Sequence, residues 1–500
     1  MNNRSLALRA ALWLFLLVTV TGAWAFDFSE MEKRVTAFTL DNGMRFLVLE
    51  DHSAPVVAFA ISVDVGGASD PKERTGLSHM FEHLAFKGTT EIGTKDYKAE
   101  QKAMAKLDVL YIRLRAENQK LNIDSAKVAA LNDTIKIVQA ECDNLVEMNE
   151  FSNYVEQEGG VGMNAGTGYD NTTYYYSFPS NKLELWFYLE SSRFLDPVFR
   201  DFYKEREVIK EERRMRIESN PIGRLVDEFI HSAFRAHPYG YALVGQMSEI
   251  ENYTPEAAMA FFKKNYVPAN MVAAMVGDVN PAEARKLAEK YFGRLPKAPK
   301  PEGVQIREPE QMAERQVIMP DKSQPILLMG YHRPATMHAD NAVFDAIADY
   351  LGGGRTSLLY KNLVKEKKLA TQTSAFPAFP GAKYPSEFGI FIIPAKGVTA
   401  EQCETEALVE VEKLKKDPIP EEELVKIKAR AKANLVRSMS SRAGLANALT
   451  SAEIYYGDWR EVFKGLDKIN AVTTADIQRV VNTYFTRNNR TAAYIETVEE

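Results

Sequence analysis

Two similar halves, each mixing strands with helices, are what this 500-residue sequence predicts. Three observations predict it. A strand–helix–glycine order occurs twice, a proline-rich stretch separates the two copies, and one stretch of the first copy has the leucine spacing of paired helices. The length suits two to four domains. A net charge of -6 with 45% hydrophobic residues describes a globular protein. It lacks the basic stripe that nucleic-acid binding requires.

The chain opens with a segment of secretory type. Arg4 and Arg9 are positive, residues 10–20 are apolar, and Ala23-Trp24-Ala25 fits a small-x-small cleavage site. The apolar core is too short to span a bilayer comfortably. The expectation is cleavage after Ala25, leaving residues 1–25 as signal peptide and a periplasmic or secreted mature chain. Only Cys142 and Cys403 are present, far apart, so no disulfide scaffold is implied.

Residues 34–49 read as a hairpin turned by Asp41-Asn42-Gly43. Pro55 to Ser69 reads as a half-buried strand of small and β-branched residues ending at Gly66-Gly67. A helix follows, with Ser78 as its expected cap and Gly88 beyond its end. In the segment 98–150, Leu107, Leu110, Leu114 and Leu121 fit heptad positions. So do Val128, Leu131, Ile135, Val138, Cys142 and Leu145. With a turn at Asn122 to Ser125, this is a coiled-coil-like helical hairpin inserted in the first half. Its plainer role is a solvated protrusion, which is the favoured reading, and its sharper role is a docking arm or gate.

Asn270 to Val279 reads as the strand that closes the first half, 26–294. The stretch from Leu295 to Pro301 opens an extended linker, 295–311. The second half, 312–500, has a strand at Pro325 to Tyr331, a helix at Ala342 to Leu351, and Gly352-Gly353-Gly354. No G-K-[ST] follows that triplet, so it is no phosphate loop. When the two helices are aligned, Asp345, Ala348 and Asp349 fall where the first half has His79, Glu82 and His83.

Those three residues belong to His79-Met80-Phe81-Glu82-His83. Histidines four apart share one helix face, so both rings can reach one metal ion. A carboxylate beside them supplies a base for water, the set of parts in a zinc hydrolase. H-x-x-E-H is the inverted zincin arrangement. The competing reading is a buried helix carrying a stray pair. A third ligand can come from the charged run 203–214, where Glu205 and Glu212 lie two turns apart on one face and Glu211 on another. Taken alone, that run reads as a solvated, ion-paired helix.

With these pieces in order, the sequence resembles the M16 peptidases, the insulinase/pitrilysin group. It is most like the bacterial M16B type, related to mitochondrial processing peptidase. The matching segments are G-L-S-H-M-F-E-H-L-A-F-K-G-T at 76–89, G-G-V-G-M-N-A-G-T at 159–167, E-R-E-V-I-K-E-E at 205–212 and H-P-Y-G at 237–240. The resemblance implies two α+β domains, each a mainly antiparallel sheet flanked by helices, forming two shells of a chamber. It implies one Zn²⁺ per chain held by His79, His83 and Glu212, with Glu205 supporting them and Glu82 as the catalytic base. Asn164 and Ala165 would lie on an edge strand that pairs with the backbone of a flexible peptide substrate.

One departure matters. Many M16 enzymes carry an Arg and a Tyr seven apart in the second half, where they hold substrate and its oxyanion. Here the matching positions are Val364 and Thr371. The expectation is a dimer with a related M16 chain that carries the pair. The rival reading is a catalytically silent peptide-binding or assembly subunit.

Overall fold

The computed structural model describes residues 28–498; the expected signal peptide, 1–25, lies outside the described residues. The first half builds a six-stranded sheet from β1 (Val35–Thr39), β2 (Arg45–Glu50), β3 (Val56–Val63), β4 (Val161–Thr167), β5 (Thr172–Pro179) and β6 (Met271–Gly277). Its strand order is β1-β2-β6-β3-β5-β4. Only β2 and β6 run parallel; every other neighbouring pair is antiparallel. The second half has β7 (Arg315–Asp321), β8 (Ile326–Arg333), β9 (Ala370–Phe379), β10 (Ser386–Pro394) and β11 (Arg490–Thr497) in the order β7-β11-β8-β10-β9. Its one parallel pair is β7 with β11. The two sheets therefore share one topology, with β1 as an extra edge on the first. The fold is α+β with two like halves, as the resemblance implied.

β3 departs from the half-buried strand expected for 55–69. All but its first residue are buried, on both faces. On one face, Phe59 stacks on Trp186 at 4.4 Å within the main core of the first half. On the other, Ala60 packs with Leu47, Leu49 and Val276 against Leu445, Ala446 and Leu449 of the helix Arg442–Tyr456. That helix belongs to the second half. The exchange is reciprocal. Leu225, Phe229, Ile230 and Ala233 of the helix Pro221–Ala233, in the first half, pack on Ile326, Leu328, Ala493 and Ile495 of the second sheet. Each sheet thus has one face covered by a helix from the other half, because a two-faced apolar sheet must be covered on both sides.

The segment between the halves is pinned along its length. Lys300 Nζ lies 2.7 Å from Asp64 Oδ2. Glu308 accepts the backbone N–H groups of Arg235, Ala236 and His237 at 2.8, 2.8 and 3.0 Å. Gln311 donates to the carbonyl of Arg490 at 2.7 Å.

The insert is a hairpin of two helices, Tyr97–Asn118 and Ser125–Leu145, the second capped by Asp124. Leu107, Ile135, Val138 and Cys142 are buried in its seam. Leu121 is not: it sits fully exposed in the connection, beyond the end of the seam. The hairpin is mostly exposed, as a solvated protrusion would be, but one side of it is docked. Tyr111 stacks on Tyr203 with ring centroids 3.6 Å apart, and Tyr203 donates to Asp108 at 3.0 Å, so the hairpin is docked on the helix Phe202–Arg213. Among the described residues no helix is long and apolar enough to cross a membrane.

Candidate metal centre

The helix Leu77–Leu84 carries the H-x-x-E-H residues. Leu77, Met80, Phe81 and Leu84 point into the core, where Phe81 lies 4.0 Å from Tyr266 and 5.0 Å from Phe262 between ring centroids. That spacing leaves His79, Glu82 and His83 on the opposite face. Ser78 does not cap the helix. The cap position is Gly76, at φ 86°, with Val244 against the place a Cβ would take. Asp70 does the capping from outside the helix: it accepts the Gly76 N–H at 2.7 Å, the Ser78 N–H at 2.8 Å and the Ser78 hydroxyl. Sequence spacing could not show this, because the cap arrives from a preceding loop.

The helix Phe202–Arg213 brings the glutamates. Ile209 is buried on one side and Glu212 faces the histidines on the other. Glu212 Oε2 lies 3.5 Å from His79 Nε2 and 3.7 Å from His83 Nε2. One donor atom from each of His79, His83 and Glu212 falls within 4.8 Å of the others. Distances of 3.5 and 3.7 Å are too long for hydrogen bonds. They are close to the roughly 3.3 Å between donors set tetrahedrally at zinc–ligand bond lengths.

The protonation chemistry fits the same ion. Burial pushes His79 down to about 3, so its ring is neutral. Burial also opposes charge on His83, but the hydrogen bond and charge of Glu205 outweigh it and raise that ring. His83 Nδ1 lies 3.0 Å from Glu205 Oε2, which fixes the tautomer that leaves Nε2 free to ligate. Lys87 holds the other Glu205 oxygen at 2.6 Å. Burial would raise Glu205, yet its hydrogen bonds to His83 and Lys87 bring its carboxyl below the ordinary value. Two ring nitrogens and a carboxylate oxygen converge at separations too long for hydrogen bonds, an arrangement that a divalent cation satisfies. The residues present could hold zinc.

Three contributors escaped the sequence reading. Arg216 Nη2 sits 2.7 Å from Glu212 Oε1 and orients the carboxylate; it lies on the π-helical turn Arg214–Glu218 that continues the ligand helix. Lys87 is the second. Both stand four residues from a predicted ligand, and that spacing was the available signal. The third is Thr167, whose hydroxyl donates to Glu82 Oε2 at 2.5 Å. It ends β4, and nothing in the sequence says that this strand reaches the helix. Asn164 and Ala165 lie on β4, opposite Tyr175 and Tyr174 of β5, and β4 has no partner on its outer side. The cavities that reach the histidines and Glu82 are lined by first-half residues alone.

The profile for Insulinase (Peptidase family M16) matches residues 45–108 and 143–246, and that for Peptidase M16 inactive domain matches 252–431. The chain belongs to peptidase family M16. The second match begins before the linker and includes β6, in line with the interleaved halves. Among M16 relatives, the chain is 28% identical over 471 residues to the zinc protease PqqE of Helicobacter pylori, covering 92% of both chains. It also resembles the crystal structure of a protease from Helicobacter pylori, with TM-score 0.77, 25% identity and 92% and 99% of the two chains covered. A peptidase M16 inactive domain from Pseudomonas fluorescens, 17% identical, has the same fold at TM-score 0.74 over 93% and 98% of the chains.

Proposed function

We propose that this M16 chain is a zinc endopeptidase for flexible peptides, and that it is the metal-bearing member of a two-chain enzyme. The observation that carries the first statement is the convergence of His79, His83 and Glu212 with Glu82 held beside them by Thr167. His79, His83 and Glu212 would hold one Zn²⁺ per chain. When bound, zinc supplies Lewis acidity to a carbonyl oxygen and makes water easier to deprotonate near neutral pH. Glu82 takes the proton from the attacking water and returns it to the leaving amine. The Thr167 hydroxyl keeps one Glu82 oxygen fixed, so that the other is the one offered to water. The substrate lies along the open edge of β4 at Asn164 and Ala165, where main-chain pairing gives affinity with modest sequence preference.

Support for the second statement comes from Val364 and Thr371, which replace the donors expected on the oxyanion side, and from cavities lined by the first half alone. Loss of one oxyanion donor costs on the order of 10²-fold in rate. From the secretory segment we infer a mature chain that begins after Ala25 and works in the periplasm or outside the cell. N-terminal sequencing of protein from an osmotic-shock fraction checks that placement.

The test is turnover of an unstructured fluorogenic peptide by the zinc-loaded chain, alone and with a related M16 chain carrying the Arg/Tyr pair. Activity should be weak alone and restored by the partner. Glu82→Gln should keep zinc and lower the restored rate on the order of 10²-fold or more. Full activity without a partner refutes the two-chain reading. Full activity in Glu82→Gln refutes the mechanism. A silent peptide-binding subunit would bind peptides and cleave none under either condition.

A further inference from the structure

The inserted hairpin lies outside what the family match accounts for: the first-half profile skips 109–142, most of the two helices. The molecule nevertheless anchors this addition firmly against the helix that bears Glu212. Arg206 lies over the rings of both Tyr111 and Tyr203, at 5.2 and 5.1 Å. Lys204 Nζ lies 2.5 Å from Asp143, and Arg200 pairs with Glu100 at 2.7 Å with both side chains 1% exposed. A buried ion pair at the root and an aromatic stack higher up hold the hairpin at a set angle to the ligand helix.

That angle walls one side of an open space. A cavity of about 1050 Å³ begins at His79, Glu82, His83 and Glu212 and at Asn164 and Ala165 on the open strand. It ends on the hairpin, at Tyr111, Ile135 and Gln139. Its ligand-helix side carries Val208 and its extension Met215, 48% and 69% exposed. Together, at the end of the cavity nearest the histidines and Glu82, they form a wall on which an apolar group can pack. The charged groups around them are already paired: Glu207 with Lys210, Glu211 with Arg214, Lys136 with Asp133, and Lys204 with Asp143 and Asp201. No unbalanced charge faces the cavity from these positions, so it offers an incoming side chain chiefly apolar contact.

We propose that the hairpin supplies a substrate subsite, in which a large aliphatic or aromatic side chain packs between Ile135 and Gln139 on one wall and Val208 and Met215 on the other. The inference rests on the peptidase reading and names its substrate class: extended peptides with a bulky apolar residue near the cleaved bond. The backbone runs along β4, and a strand presents alternate side chains to one side, so one such residue is directed into the cavity. Between walls of this kind the subsite accepts Leu, Met or Phe alike and discriminates against Gly and Asp.

The test uses zinc-loaded Glu82→Gln protein, which holds peptide without needing turnover. Binding is read by fluorescence anisotropy with peptides that differ at one scanned position among Gly, Asp, Leu and Phe. At one position Leu and Phe should bind on the order of 10-fold more tightly than Gly. Val208→Trp, which fills the cavity from the ligand helix, and Ile135→Ser, which strips its hairpin wall, should each erase most of that ratio. Circular dichroism and zinc content verify that both variants are folded and loaded. Should Ile135→Ser loosen the hairpin, Gln139→Trp tests the same wall from an accessible position. A ratio near one in the starting protein, or a ratio unchanged in Val208→Trp and in the folded hairpin variants, overturns the subsite. If wild-type protein with its partner cleaves no peptide, the peptidase reading fails separately, and the binding ratio still decides this one.

Discussion

The helix Leu77–Leu84 and the helix Asn341–Gly352 occupy matching places in two sheets of one topology, yet only the first is equipped for metal. In a rough alignment of the two helix sequences, Asp345 and Asp349 fall at the positions of His79 and His83. Asp349 is held by Arg430 at 2.5 Å. Burial raises Asp345 to about 6 against the opposing charge of Arg333. Asp349 is committed to an arginine and Asp345 is buried, so neither is offered to a metal. The sheet edges differ as well. β4 and β9 are both edge strands with mostly exposed or half-exposed residues, but Gly352 at the end of the second helix presses directly on Ser374 and Ala375 of β9. One architecture thus yields a site in one half and a scaffold in the other. Two things make the difference: three side chains, and how closely the helix that carries them lies on the edge strand.

The comparison can be broken at the metal. His79→Ala or Glu212→Gln should abolish stoichiometric zinc binding, measured by mass spectrometry of metal content, because two of three protein ligands do not hold a catalytic zinc firmly. Asp345→Ala and Asp349→Ala should leave zinc untouched. Full zinc retention in Glu212→Gln would move the third ligand to Glu205 or Glu211.

The second test asks whether the halves are separable. Phe229→Ala, in the first half, removes a ring buried against the second sheet and should cost about 3–5 kcal/mol. Leu449→Ala, in the second half, opens a gap beneath the first sheet and should cost about 2–5 kcal/mol. Reciprocal covering requires one cooperative calorimetric transition that shifts in both variants. Two independent transitions, with only one moved by each substitution, would show that the halves fold alone.

A smaller effect sharpens the interface between them. His237 is buried where Glu308 of the linker closes on 235–237, and burial lowers it to about 4 from 6.5. Its Nδ1 accepts the Tyr239 N–H at 3.2 Å, which requires the neutral ring. Below pH 6.5 the unfolded chain takes up a proton that the folded chain refuses until about pH 4, so acidification across that window destabilises the fold. The loss should be about 1–3 kcal/mol. Denaturant midpoints of wild type and His237→Asn, compared from pH 7 to 4, should converge as the pH falls. Parallel curves would remove His237 from the acid response.

The smallest effect concerns Thr167. Thr167→Val frees the Glu82 oxygen and should lower kcat about 10-fold with little change in KM, while Thr167→Ser keeps the hydroxyl and restores the rate. A loss confined to KM would make Thr167 part of peptide binding.

Much of the candidate site was legible because its logic is local. His79, Glu82 and His83 share one helix face through spacing alone, and Glu205 and Glu212 share another two turns apart. The hairpin insert and the Asp41–Gly43 turn were legible for the same reason: heptads and turn residues act over a few positions. The pairing of Glu212 with the two histidines came from the family resemblance, and the fold then brought the three together.

What the sequence could not determine is everything set by chain segments that meet across long separations. Alternation in β3 could describe one buried face. It could not announce that Leu445 and Leu449, almost four hundred residues later, would bury the other. Asp70 as the true cap, Thr167 on Glu82 and Tyr111 on Tyr203 are each single contacts between elements whose own periodicities are satisfied without them. By itself the sequence determined which side chains could do chemistry and which residues form each element. Tertiary structure alone decided which faces are covered, which edge stays open and where the hairpin docks. Those choices depend on apolar area summed over distant segments, which no local pattern records.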